Sequence, residues 1–224
     1  MVEKFNTSTL SKQELAKQLR QPSGEEGIEI GKQMNKGNQY ICLNSYKVLK
    51  PESNSTILEI GMGNGFFIKD LFALNNKLQY IGLDFSQTMV DEAVRLNQEL
   101  INSRKVSFIT GSIENLPFDD NSIDFITTTN TIYFWPDLVK NATELYRVLK
   151  PKGKILIAYR AKEFMDKVEV SNYGFNKYTK ADIESLLVKV GFNQVLTEEI
   201  AEPDLDFDGT SVQMVGLYSH GIKK

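Results

Sequence analysis

The sequence predicts an α/β protein of the Rossmann-like, doubly wound kind, with a mostly parallel seven-stranded sheet, helices on both faces and an N-terminal helical cap. Short apolar runs of strand character alternate with amphipathic runs at helical spacing. A glycine-rich turn joins the first strand run to its helix, and polar side chains follow the next strand runs. Strands that alternate with helices form βαβ units with right-handed crossovers, which gives a parallel sheet.

The first 50 residues predict helices without strands. Ser11 begins a short helix that continues to about Arg20, and Pro22-Ser23-Gly24 ends it. Residues 25–50 predict one or two further helices that stop before Pro51. We therefore expect residues 1–50 to form a cap that packs on the sheet or covers its ligand crevice, and residues 51–224 to form the core.

The core residues predict seven strands with helices between them. Helices are expected to begin near Phe66, Ser86, Asp137 and Thr179, where capping residues or apolar spacing mark their starts. The expected strands are residues 56–60, 78–84, 106–110, 123–129, 154–159, 194–198 and 213–218. Ligands of such sheets bind beyond the carboxyl ends of the strands.

Composition excludes several kinds of protein. With 41% hydrophobic residues, 25% charged residues and a net charge of −3, the chain has neither the basic balance of a nucleic-acid binder nor a membrane-binding composition. One cysteine, Cys42, excludes an internal disulfide and a multi-cysteine metal site. One histidine, His220, argues against a His-based metal site or a Ser-His-Asp triad. The polar N-terminus predicts no signal peptide, so a cytoplasmic location is expected.

The stretch Thr56-Ile57-Leu58-Glu59-Ile60-Gly61-Met62-Gly63-Asn64-Gly65 predicts a nucleotide-type binding turn. Its glycines allow positive φ and a close approach of the ligand, and the following helix start favours a polar or anionic group. A dinucleotide fingerprint needs G-x-G-x-x-G, but position 66 is Phe. A P-loop would need Gly-Lys-Ser/Thr, which is absent here. An ordinary αβ turn is the simpler alternative.

This stretch resembles motif I of the class I S-adenosylmethionine-dependent methyltransferases, an acidic residue followed by G-x-G-x-G. The resemblance extends from about Ile57 to Tyr159 and is closest to the small-molecule branch of the family. It implies that S-adenosyl-L-methionine binds along Glu59, Gly61, Met62, Gly63 and Gly65. A cationic ligand would compensate the buried carboxylate of Glu59, although bonds from loop amides would also satisfy it.

The residues after the second strand predict the ribose site. Asp84 ends that strand, and its carboxylate can accept hydrogen bonds from two ribose hydroxyls. The simpler interpretation, that Asp84 caps the next helix, is weakened because Ser86 suits that role. By resemblance Met89 lies against adenine, although it also fits helix core. Phe85, which directly follows Asp84, is the better candidate for that contact.

The third and fourth strands contribute the remaining candidates. By resemblance Ser112 and Ile113, in the loop before Leu-Pro-Phe, contact adenine, with Ser112 in place of the family's frequent Asp. Asn130 follows the fourth strand, where family members contact the methionine part of the cofactor. Tyr133 and Trp135, with Phe134 between them, are expected either to wall an acceptor pocket or to belong to the core.

The resemblance implies direct in-line transfer of a methyl group to a small-molecule acceptor. No catalytic residue is assigned: an acidic acceptor needs a base, for which Tyr133 or a carboxylate of the cap are candidates. Two alternatives remain at this point, a nicotinamide-dependent oxidoreductase and a non-catalytic cofactor-binding partner or sensor protein. We expect a monomer or homodimer that binds neither nucleic acid nor membrane, and the acceptor and its reacting atom stay open.

Overall fold

The computed structural model describes residues 10–207 and 210–224, and it confirms the predicted fold class. One seven-stranded sheet has the order β3-β2-β1-β4-β5-β7-β6. Neighbours from β3 to β5 are parallel, and β7 runs antiparallel to both β5 and β6. The strands are β1 Thr56–Ile60, β2 Gln79–Asp84, β3 Val106–Thr110, β4 Ile123–Thr129, β5 Leu149–Tyr159, β6 Asn193–Phe207 and β7 Thr210–Ile222.

The helices flank this sheet. They are α1 Lys12–Arg20, α2 Gly24–Leu49, α3 Ile68–Leu74, α4 Gln87–Leu96, α5 Gln98–Asn102, α6 Leu138–Val148, α7 Lys162–Met165 and α8 Lys180–Val190, with short 3-10 helices at Ile132–Phe134 and Glu169–Asn172. Ser11 forms the expected capping box at α1, and Thr179 forms another at α8. Among the described residues no helix is long and apolar enough to cross a membrane.

Several predicted bounds differ from the structure. The segment expected to form one or two helices is a single helix of 26 residues, α2. Strands β6 and β7 extend far beyond residues 194–198 and 213–218 because they pair with each other along most of their length. β5 begins at Leu149, which was expected to end the preceding helix, because Leu149 pairs with Ile123 at the start of β4. The short helices between β5 and α8 had no clear periodic signal.

Adjacent residues of β1 show how the sheet is buried on both faces. Ile57 packs with Tyr46 and Leu49 of α2 on one face, and Leu58 packs with Leu145 of α6 on the other. A strand covered on both faces has no polar alternation, which is why β1 reads as a continuous apolar run. Glu59 is the exception, and it lies on the same face as α2.

The order of the strands fixes the ligand crevice. The sheet is extended from β1 toward β2 and β3 in one direction and toward β4 and β5 in the other. The connections therefore diverge between β1 and β4, and their carboxyl ends leave a crevice at that point. The first half of α2 lies over this crevice, and its second half packs on the sheet.

Candidate functional site

A cavity of about 480 Å³ lies at the carboxyl ends of the parallel strands. It is bounded by the loops that follow β1 to β5, by α1 and by the first half of α2. Every residue that the sequence singled out for ligand binding lines it: Glu59, Gly61, Met62, Gly63, Gly65, Asp84, Phe85, Met89, Ser112, Ile113, Asn130, Tyr133 and Trp135. The structure therefore brings the sequence candidates together, and their contacts with a cofactor remain a prediction.

The glycine loop after β1 needs positive φ at three positions. Gly61, Gly63 and Gly65 have φ of 68°, 60° and 64°. A Cβ on Gly61 would overlap Thr131, whereas a Cβ on Gly63 would meet nothing within 4 Å. The backbone at Gly63 therefore borders open cavity space, which leaves room for a ligand against the loop.

Asp84 connects the glycine loop to the loop after β2. One carboxylate oxygen accepts a hydrogen bond from the Gly63 amide at 2.9 Å, and the other accepts from the Ser86 amide at 2.9 Å. Burial raises the pKa of Asp84, and the backbone donors partly oppose this. Each carboxylate oxygen accepts more than one bond, so both retain capacity for a ribose hydroxyl.

Ser86 caps α4 as predicted, since its hydroxyl accepts from the Met89 amide at 3.2 Å. The same hydroxyl donates to the carbonyl oxygen of Pro22 at 2.5 Å. Gln21 adds a bond from its side-chain amide to the Phe85 carbonyl at 3.2 Å. The connection between α1 and α2 is therefore fastened to the loop that carries Asp84.

Glu59 has partners that the sequence did not indicate. Its Oε2 accepts hydrogen bonds from the hydroxyls of Tyr46 at 2.9 Å and Tyr80 at 2.8 Å. The expected alternative, bonds from loop amides, is not what holds this side chain. Burial raises the pKa of Glu59 to about 6, although both tyrosine donors lower it. A carboxylate at the cavity wall with neutral partners only is a favourable site for a positive charge.

The other candidates on the β2 and β3 side differ in exposure. Met89 is 1% exposed and lies against Gly31 of α2, whereas Phe85 is 38% exposed at the rim. Ile113 is buried in the core, and Ser112 is exposed, with its hydroxyl accepting from the Glu114 amide at 3.2 Å. Phe85 and Ser112 are thus the more accessible of the four for an adenine contact.

Met62 points away from the open part of the loop. Its side chain packs against β2, where a Cβ on Gly82 would collide with the thioether. It is buried with Val90 and Ala93 of α4. A cofactor contact by Met62 would therefore use its backbone.

Asn130 and Tyr133 are linked after β4. Asn130 has φ of 56°, and its side-chain amide donates to Asn38 of α2 at 3.0 Å. The Tyr133 hydroxyl lies 3.1 Å from Asn130 Oδ1 and accepts from the Arg160 amide at 2.5 Å. Burial raises the pKa of Tyr133, so this hydroxyl is a poor base at neutral pH.

Trp135 and Tyr133 fit both predicted roles, since each lines the cavity and each is buried in the core, at 3% and 2% exposure. The Trp135 indole donates to Thr131 Oγ1 at 3.2 Å. Phe134, between them, packs edge-on against Phe175. The part of the cavity over β4 and β5 therefore has aromatic walls.

Sequence reasoning missed the cap residues and one charged group. Leu15 and Leu19 of α1 line the cavity, as does Arg160 directly after β5. The sequence analysis expected residues 1–50 to pack on the sheet or cover the ligand crevice, but it identified no residue of α1 as a wall of the cavity. No local pattern indicated Arg160, whose partner is 42 residues distant in the chain.

The site residues fit S-adenosyl-L-methionine. The open backbone at Gly63 leaves space for the nucleoside, Asp84 has acceptor capacity for ribose hydroxyls, and Glu59 faces the cavity with no cationic partner of its own. Among the described residues, no group of three or more His, Cys, Asp or Glu side chains is arranged to hold a metal ion.

Comparison with known proteins indicates a methyltransferase domain. Residues 58–157 match the family described as methyltransferase domain. The ubiquinone/menaquinone biosynthesis C-methyltransferase UbiE of Rickettsia typhi is 33% identical over 127 residues, which are 55% of this chain and 51% of that protein. The chain spans about half the length of the curated relatives that it matches.

Solved structures support the fold. A chain in the complex between the Haloferax volcanii Trm112 methyltransferase activator and a methyltransferase aligns with a TM-score of 0.71 at 21% identity, over 86% of this chain and 92% of that one. A SAM-dependent methyltransferase from Aquifex aeolicus aligns with a TM-score of 0.62 at 22% identity, over 85% and 96%. At these identities the likeness concerns the fold alone.

Proposed function

We propose that the protein, whose residues 58–157 match the methyltransferase domain family, is a class I S-adenosylmethionine-dependent methyltransferase that transfers a methyl group from S-adenosyl-L-methionine to a small, largely apolar acceptor. One observation carries the proposal: the glycine loop, Asp84 and the aromatic side chains after β4 open into the same cavity. Direct transfer between two bound molecules requires that both bind in one space, and here the predicted nucleoside site and an apolar site share the same cavity.

The strand that each lining residue follows indicates which part of the ligands it would contact. Gly63, Asp84 and Ser112 follow β1, β2 and β3, so they would hold the nucleoside. Asn130 follows β4, the strand beside β1, and Glu59 is the penultimate residue of β1; Asn130 and Glu59 would hold the amino-acid part. The remaining wall, with Phe134 and other apolar side chains after β4 and β5, is left for the acceptor.

The bound donor supplies a methyl group activated by its positive sulfur, so the protein has little covalent chemistry to perform. Its contribution is alignment, which is worth roughly 7–11 kcal/mol in well-oriented reactions. Leu15 and Leu19 of α1 line the cavity, so α1 would limit the access of water to the bound molecules. The bonds from Gln21 and Ser86 hold this cover against the loop that carries Asp84.

The proposed class of acceptor rests on the apolar wall and on the activity for which a relative is named. The Rickettsia typhi protein is named a C-methyltransferase of ubiquinone and menaquinone biosynthesis. An aromatic, quinone-type ring is a suitable occupant for a wall formed by Phe134, Trp135 and Phe175. Such an acceptor is part of the proposal for this chain.

Calorimetric titration with S-adenosylhomocysteine and with NADH tests the proposal. We expect micromolar binding of the first and no binding of NADH. Asp84→Asn should weaken the binding at least tenfold because it removes the charged acceptor, while keeping the shape that the loop amides contact. Asp91→Asn, on the exposed side of α4, is the matched control and should bind normally.

Two results would contradict the proposal. Absence of S-adenosylhomocysteine binding would exclude a methyltransferase, and binding of NADH instead would favour the oxidoreductase alternative. Binding without turnover of any acceptor tested would favour a cofactor-binding partner or sensor.

A further inference from the structure

A buried ion pair lies at the acceptor side of the cavity. Arg160 follows β5, and its Nη1 and Nη2 donate to Oε1 and Oε2 of Glu202 on β6 at 2.8 and 2.7 Å. The two side chains are 5% and 3% exposed. Burying both charges costs desolvation that well-packed apolar residues would avoid, so stability alone is a weak reason for the pair.

Arg160 is the charged residue of the acceptor wall. Of the cavity-lining residues that follow β4 in the described chain, the others are apolar, aromatic or uncharged polar. The Arg160 amide donates to Tyr133, whose hydroxyl also contacts Asn130, so the position of Arg160 is tied to the predicted cofactor side. The chain therefore places a fixed cation beside an apolar chamber, close to where transfer would occur.

The guanidinium has donors to spare. It carries five N–H groups, and the two bonds to Glu202 use two of them. The fork that faces Glu202 fixes the plane of the group, so the remaining N–H groups have defined directions. Such donors match an oxygen that carries negative charge.

We propose that Arg160 receives an ionised oxygen of an otherwise apolar acceptor, such as a phenol or enol, and that Glu202 positions Arg160 for this contact. This inference rests on the proposed function and narrows its acceptor to molecules with an acidic hydroxyl. Arg160 touches the acceptor and therefore sets specificity, and Glu202 acts through Arg160.

Methylation of an acidic hydroxyl compound requires that its proton be lost, and the ion pair would favour this loss. On binding, the acceptor hydroxyl releases its proton to solvent, and the guanidinium stabilises the oxygen anion that remains. The electron pair of that anion, on oxygen or delocalised onto a ring carbon, would form the bond to the methyl carbon as the methyl–sulfur bond breaks, and the bonding electrons would leave with the sulfur. If a ring carbon is methylated, its hydrogen would then be lost to solvent as a proton. An acceptor that is held as its anion needs no protein base, which agrees with the raised pKa of Tyr133.

The thiol and the tyrosine hydroxyls near Arg160 stay neutral slightly above neutral pH. Burial raises the pKa of Cys42 on α2, of Tyr133 and of Tyr218 on β7. Glu59, with a pKa of about 6, is ionised in that range. The guanidinium of Arg160 is therefore the group at this wall that favours the anion of a phenol over the neutral phenol, whereas the carboxylate of Glu59 opposes the anion.

The single tryptophan of the chain, Trp135, lines the cavity and reports its occupancy by fluorescence. The probe is 4-nitrophenol, whose anion is yellow, titrated without cofactor from acidic to alkaline pH. Nitrobenzene, which has the same ring and no hydroxyl, is the neutral control. We expect the bound phenol to ionise about one pH unit below the free phenol, equivalent to about tenfold tighter binding of the anion.

Replacing both charges tests the pair without leaving one of them unpaired. The variant Arg160→Met/Glu202→Met should be folded, with a cooperative unfolding transition in urea. It should lose the preference for the anion and bind nitrobenzene as the wild type does. Arg160→Lys keeps the charge and should retain most of the preference. Anion preference that survives in the double variant, or parallel loss of nitrobenzene binding, would overturn the proposal.

S-adenosylhomocysteine titration of the same samples separates the two proposals. If the wild type binds S-adenosylhomocysteine but shows no anion preference, the role of Arg160 fails and the proposed function stands. If it shows the preference but no S-adenosylhomocysteine binding, the proposed function fails instead.

Discussion

Replacing Glu59 with Gln should stabilise the ligand-free protein at neutral pH. The carboxyl group is 6% exposed, and its pKa rises from 4.5 to about 6 on folding. At about 1.4 kcal/mol for each tenfold change in the ionisation constant, this difference corresponds to about 2 kcal/mol. A raised pKa means that folding favours the protonated form. The stabilising contribution is therefore complete below pH 4.5 and is lost as the pH rises through about 6.

The Glu59→Gln variant keeps the shape of the side chain, and its carbonyl oxygen can still accept from Tyr46 and Tyr80. Urea unfolding of both proteins from acidic to neutral pH measures the effect. We expect equal free energies of unfolding near pH 4.5 and a variant more stable by about 1–2 kcal/mol at neutral pH. Glu29→Gln, at an exposed position of α2, controls for general loss of a negative charge.

The same variant should bind S-adenosyl-L-methionine more weakly, because the carboxylate no longer attracts the positive ligand. The wild type should gain affinity as the pH rises through about 6, and the variant should not. Two results would refute the reasoning: equal pH dependence of stability in both proteins, or unchanged affinity for the cationic ligand.

Three further predictions concern the loop, the Tyr133 network and the core. Gly63→Ala should lower stability by about 1–2 kcal/mol because of the positive φ at this position, and it should strongly weaken S-adenosylhomocysteine binding. Gly61→Ala should lower stability further, because its Cβ would also overlap the side chain of Thr131. Equal losses of stability in urea unfolding would contradict this difference. Tyr133→Phe removes the hydroxyl that accepts a hydrogen bond from the backbone amide of Arg160, and it should lower the free energy of unfolding by about 1–3 kcal/mol in the same urea experiment. An unchanged unfolding midpoint would contradict a stabilising role for this hydrogen bond. Ile126→Ala, at a fully buried position of β4, should cost about 2–5 kcal/mol, and a loss well below that range would mean that the core closes around the cavity.

The sequence predicted those parts of the fold whose signals are local. Asp84 and the glycines after Ile57 marked strand ends and a turn, and Ser86 marked a helix start, because these features depend on neighbours in the chain. The extents of β6 and β7 depend instead on their mutual pairing, which a short apolar run does not disclose.

The partners of the site residues were harder to predict for the same reason. Glu59 is held by tyrosines from α2 and β2, and Arg160 is held by a glutamate from β6. Such contacts depend on how the elements pack, and no spacing in the sequence encodes them. The resemblance located the candidate residues of the cavity but could not locate groups outside its motifs.

The most direct test of the central claim is a crystal structure of the protein with S-adenosylhomocysteine. We predict the ribose hydroxyls on the Asp84 carboxylate, the nucleoside against the backbone at Gly63, and the sulfur facing the chamber bounded by Trp135 and Arg160. A ligand bound elsewhere, or a sulfur that faces away from that chamber, would contradict the assignment of this cavity to methyl transfer.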